Sequence, residues 1–125
     1  MIQSLLPVAA GGALGASARY LVNVAAFRLA GVGFPWATLT VNVLGSFLMG
    51  ALIVTFANKD LTRLAPFLMT GVLGGFTTFS AFSLDAVSLW QRGEVVSATT
   101  YVASSVVLSL TALLVGMACA RAVFA

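Results

Sequence analysis

Four apolar stretches, each long enough to cross a lipid bilayer, take up nearly the whole chain and confine most polar residues to the joints. A membrane-spanning helix needs about 20 residues. The stretches run over residues 4–27, 35–56, 64–90 and 95–120. Gly31, Gly33 and Pro35 mark the first joint, Asn58 to Arg63 the second, and Gln91 to Glu94 the third. Backbone groups at membrane depth must bond within their own segment, which makes each stretch a helix. The predicted fold is therefore an all-α membrane protein of four transmembrane helices, forming one domain over residues 1–125.

Charge is as scarce as this pattern requires. Charged residues are 7% of the 125 and hydrophobic ones 61%, with a mean hydropathy of +1.10. A soluble domain carries about 25% charged residues to cover its surface. The composition excludes a water-soluble enzyme, a disordered chain and a conventional nucleic-acid binder. The formal charge of +3 comes from six scattered cations. They trace no phosphate stripe and read as juxtamembrane charges meeting anionic headgroups. The opening MIQSLLPVAAGG lacks the basic region of a cleavable leader, so it is expected to be the first span. The chain has a single cysteine, Cys119, and no histidine. Ser-His-Asp, Cys-His and carboxylate-pair chemistry all lack their residues, as does a Cys/His metal site. No enzyme is expected.

Basic residues decide orientation in most membrane proteins, and here they nearly balance. Lys59, Arg63 and Arg121 fall on one side; Arg28 and Arg92 fall on the other, with Arg19 inside the first span toward the Arg28 end. Two readings stand at this point. Either another feature fixes one topology, or the chain inserts both ways and pairs head to tail. Four short helices enclose little space, so any transport function calls for a homo-oligomer.

Polar side chains within the spans need a partner or a wet cavity. Arg19 either snorkels to the headgroups or concentrates anions at a pore mouth. Gly11 and Gly15 precede it at the spacing that lets helices approach closely. Asn42, Ser46 and Gly50 share one face of the second span with Thr38. The Asn42 amide either binds a neighbouring backbone or donates to a passing anion. The third span contains GVLGGFTTFSAFSLD. Gly74 and Gly75 cost about 1 kcal/mol each in helix propensity relative to Ala. Thr77 and Thr78 compete for backbone hydrogen bonds. The pair of glycines is either a packing device or the site of a break near midplane, where freed carbonyls face an ion. Phe79, Phe82, Ser80 and Ser83 follow, and ring edges and hydroxyls both suit an anion. Asp85 is the only acid well inside a span. The fourth span is rich in hydroxyls, with Tyr101 and Ser105 on one face and Thr111 on an adjacent one.

GGALGASARY, PWATLTVNVLGSFLMG, GVLGGFTTFSAFSLD and the region of Tyr101 and Ser105 together resemble the small bacterial fluoride channels called Fluc or CrcB. The GGFTTFS run with its following Phe carries most of the resemblance; Ala81 replaces the small hydroxyl residue of many members. The resemblance implies a broken third span and an antiparallel, dual-topology homodimer in the bacterial inner membrane. It implies two fluoride pathways and a structural sodium ion at the dimer centre. On the matching positions, Arg19 is the vestibule cation. Asn42, Phe79, Phe82, Ser80, Ser83, Tyr101, Ser105 and Thr111 line the fluoride pathway. Gly74 and Thr77 offer backbone carbonyls to sodium. The implied function is passive export of fluoride, protecting the cell from its toxicity.

Two other functions fit the same composition. A small proton-coupled exporter would use Asp85 as its membrane carboxylate. A non-transporting assembly subunit would use the small residues for packing alone.

Overall fold

The computed structural model describes residues 2–125. Every regular element among them is helical. Helix α1 covers Ile2–Ala30 and α2 covers Trp36–Lys59. The third span, Thr62–Gln91, is composite. A 3₁₀ turn at Thr62–Leu64 leads into π-helical turns over Pro66–Leu73, the single turn α3 at Gly74–Phe76, and then α4 at Phe79–Gln91. Helix α5, Val95–Val123, closes the chain. All four spans are long and apolar enough to cross a bilayer. The helices run a few residues beyond the predicted apolar limits at most ends, because their last turns reach into the headgroup zone.

The joints use the backbone freedom their residues offer. Gly31 at φ +74° and Gly33 at φ +147° turn the chain between α1 and α2. Asp60 closes α2 in a left-handed conformation, φ 53°, with its N–H on the Phe56 carbonyl.

Glycines decide which helices meet. A Cβ on Gly11 or Gly15 of α1 would run into the Phe67 or Val72 carbonyl, so α1 packs backbone to backbone on the first half of the third span. The spacing of Gly11 and Gly15 is thus a true packing face. Gly50 and Gly116 seat α2 against α5 in the same way, at Leu113 and Phe47. Helix α4 instead leans on α5, around a core of Leu39, Leu89, Ala98 and Tyr101.

The third span does break near its middle, but not at the glycines. Gly74 keeps helical angles, φ −63° and ψ −37°. A Cβ on Gly75 would stand 2.6 Å from the Gly12 carbonyl oxygen, so this glycine serves close approach to α1. The extended residues are Thr77, φ −87° and ψ 160°, and Thr78, φ −155° and ψ 125°. β-Branched residues favour that conformation, and both hydroxyls bond the flanking backbone, that of Thr78 in place of a lost helix bond. Thr77 Oγ1 donates to the Leu73 carbonyl at 2.9 Å, while Thr78 Oγ1 accepts from the Ala81 N–H at 3.2 Å as the N-cap of α4.

Candidate functional site

The break releases backbone groups at membrane depth, and the neighbouring spans supply partners for several of them. Asn42 on α2 faces extended Thr78 and pairs with it twice. Its Nδ2 donates to the Thr78 carbonyl at 2.9 Å, and its Oδ1 accepts the Thr78 N–H at 2.8 Å. The pairing imitates one rung of a β-ladder. Of the two sequence readings of Asn42, the structure shows the backbone partner, leaving one amide hydrogen over. Arg19 Nε donates to the Gly75 carbonyl at 3.0 Å, so its guanidinium points to the break and not to the headgroups.

The carbonyls of Gly74 and Thr77 are among those that lose their helical donors. In a continuous helix Gly74 would receive the Thr78 N–H, and Thr77 would receive the Ala81 N–H. Those donors go to Asn42 Oδ1 and Thr78 Oγ1 instead. Gly74 is also exposed on the protein's side, where its carbonyl meets no helix partner. Hard oxygen donors of this kind fit a small monovalent cation. No group of three His, Cys, Asp or Glu gathers among the described residues.

An open groove of about 380 Å³ runs alongside the break. Asn42 and Ser46 of α2, Thr77 and Thr78, Phe79 and Phe82 of α4, and Ser105 and Ser109 of α5 all line it. The two phenyl rings lie 5.4 Å apart and tilted by 47°. Phe79 is 78% exposed, an aromatic projecting beside the hydroxyls of the groove. Ser105 Oγ is buried and has no hydrogen-bond partner among the described residues. Tyr101 extends the line above it: its ring is 5.3 Å from Phe82, and its hydroxyl donates to Asp85 Oδ2 at 3.1 Å. Ser83 and Ser80 lie on the same half-helix, but their hydroxyls have local partners. Ser83 donates to the Phe79 carbonyl at 3.0 Å, and Ser80 sits 3.4 Å from Thr78 Oγ1.

One expected member stands elsewhere. Thr111 lines a separate apolar groove between α2 and α5, with Trp36, Val43 and Leu108. Six residues separate it from Ser105, which rotates it well off the Tyr101 face of the helix. Ser109 lines the groove beside Ser105. The spacing Tyr101, Ser105, Ser109 was the signal for it, since each step of four keeps one face.

Fold and groove together define a polytopic membrane protein built around a broken third span, with a hydroxyl- and aromatic-lined furrow at its side. A family model described as "CrcB-like protein, Camphor Resistance (CrcB)" matches residues 6–117. The chain is 64% identical over 121 residues to a "Fluoride-specific ion channel FluC" of Cereibacter sphaeroides, covering 97% of each chain. It is 56% identical to the FluC of Ruegeria sp. over 98% of each chain, and 54% identical to that of Paracoccus denitrificans over the full length of both. The chain belongs to the CrcB/FluC family.

Proposed function

We propose that this chain is a fluoride-selective channel that lets fluoride leave the bacterial cytoplasm across the inner membrane. The observation that carries this reading is its near full-length similarity to proteins named fluoride-specific ion channels. It is a channel and not an enzyme. The groove supplies a chemistry that suits the ion. Fluoride is small, strongly hydrated and a good hydrogen-bond acceptor, so dehydration needs close replacement donors. Ser105, Ser109 and the spare Asn42 hydrogen are such donors, while the Tyr101 hydroxyl is held by Asp85. Phe79 and Phe82 offer electropositive ring edges in a dry passage. Larger halides fit such a lining less well.

The furrow is largely apolar, but its amide, hydroxyls and the freed backbone carbonyls of the break find no partners among lipid tails. The working unit is therefore an antiparallel homodimer, in which a second copy covers the groove and closes a passage on each side. The near balance of basic residues between the two ends supports insertion in both orientations. Sodium belongs at the dimer centre, where the Gly74 and Thr77 carbonyls of each chain would hold it. Bound there, it supplies charge neutralisation for carbonyls that lack N–H donors. Arg19, anchored on Gly75, places a fixed positive charge beside the break.

Transport is passive. Fluoride enters cells as HF in acid surroundings, ionises inside, and leaves down its own gradient. The test is efflux from liposomes containing the purified protein, loaded with fluoride and made permeable to potassium. A fluoride electrode outside should register rapid release, while chloride-loaded vesicles should hold their content. Retention of fluoride by well-folded, reconstituted protein would reject the channel and favour an assembly subunit.

A further inference from the structure

The turn between α1 and α2 carries an aromatic that the channel reading leaves without a role. Phe34 stands edge-on to Tyr101, with ring centroids 5.5 Å apart and planes at 90°. On its other side it meets Trp36 at 4.6 Å. Tyr101 is fully buried, and Phe34 packs on it as does the groove residue Phe82. The position of the phenol therefore depends on where this turn sits.

The turn has little to hold it. Its two glycines take positive φ, and its own hydrogen bonds are local: Gly31 N–H to the Phe27 carbonyl and Trp36 N–H to the Phe34 carbonyl. Among the described residues, one hydrogen bond ties it to another element. Arg92, at the end of α4, donates from Nη2 to the Gly33 carbonyl at 3.3 Å. Arg92 is itself fixed by Glu94, with Nη2 and Nε on Oε2 at 2.9 and 3.2 Å. A guanidinium fork can bridge two acceptors rigidly; a lysine ammonium on its flexible stem cannot do so equally well. An ion pair this exposed contributes little to stability. Glu94 also offsets the Arg92 charge, which leaves a weak attractor for anions.

We propose that Arg92 is a positioning residue for ion passage: its clasp on Gly33 seats Phe34 against Tyr101 and thereby fixes the phenol beside Phe82. The functional half of this proposal rests on the fluoride-channel reading; the geometric half does not. The test uses full-length protein carrying Trp90→Phe, so that Trp36 is the only fluorophore of its kind. Arg92→Ala and the charge-conserving Arg92→Lys should both raise acrylamide quenching of Trp36. Both should lower fluoride efflux per reconstituted protein by about threefold or more, with unchanged elution on sizing. Phe34→Leu should lower efflux similarly, and adding Arg92→Ala to it should cost nothing further. Additive losses, or normal efflux with raised quenching, overturn the proposal. Normal efflux in Arg92→Lys alongside a loss in Arg92→Ala also overturns it, by assigning Arg92 a role through charge. If the parent protein itself moves no fluoride, the channel reading fails. Unchanged Trp36 quenching would separately refute the clasp.

Discussion

Asn42 and the phenylalanine pair show how differently side chains serve one groove. Asn42 commits both polar atoms to the Thr78 backbone. Removing it strands a donor and an acceptor, each costing about 1–3 kcal/mol when buried. Asn42→Ala is therefore expected to lower thermal stability in detergent together with fluoride flux; loss of flux at unchanged stability would assign the amide to the ion alone. The rings behave oppositely. Phe82→Ile keeps apolar bulk, with a repacking cost of about 1–1.5 kcal/mol. It removes the ring edge, and flux should fall at least tenfold, about 1.4 kcal/mol on the barrier. Phe79→Ile should act alike, while Phe67→Ile, in the first half of the span, should conduct nearly normally. Flux per reconstituted protein for the three variants decides this, and near-normal values for both Phe79→Ile and Phe82→Ile remove the rings from the proposed pathway. Asp85 accepts a hydrogen bond from Tyr101 and is the one carboxylate a proton-coupled exporter could use. Asp85→Asn is expected to retain passive flux with no proton gradient. Transport that stops when that gradient is collapsed would establish coupling.

Among the elements, the third span was the hardest to read. Its break was legible as an interruption within GGFTTFS, but it falls at the two β-branched threonines and not at the glycines. Gly75 stays helical because α1 presses against it, and the threonines yield because Asn42 captures the Thr78 backbone. Gly12 and Asn42 both lie far from the break in sequence, so propensity alone could not rank the two sites. The same contacts make a prediction about α1. Gly15→Ala pushes a methyl into the Val72 carbonyl and should destabilise the protein by about 1–3 kcal/mol. Gly12→Ala meets open space at its own Cβ and should be neutral or slightly stabilising. Thermal unfolding in one detergent compares them directly. Equal melting temperatures would show that α1 and the third span do not meet through Gly15.

At the scale of the molecule, the open groove and the balanced charges point to one assembly. If orientation rests on so few basic residues, adding two or three Lys near Lys59 should bias every copy one way. Activity should fall for want of antiparallel partners. It should return on co-expression with a variant biased oppositely by Lys near Arg92. A uniformly oriented population with full activity would refute antiparallel pairing.

Hydropathy and residue type by themselves determined four spans, their joints and the set of intramembrane polar groups, because lipid tolerates no other arrangement of such long apolar runs. The i, i+4 face of Tyr101 and Ser105 was equally local, and it extends to Ser109 by the same step. Tertiary structure decided the rest. It moved the break to Thr77 and Thr78, turned Asn42 and Arg19 onto backbone carbonyls, placed Thr111 outside the groove, and set Phe34 against Tyr101. Each of these depends on which helix lies next to which, and that is settled by backbone contacts at Gly11, Gly15, Gly50, Gly75 and Gly116. A glycine in a sequence shows that close approach is allowed; only the folded chain shows what approaches.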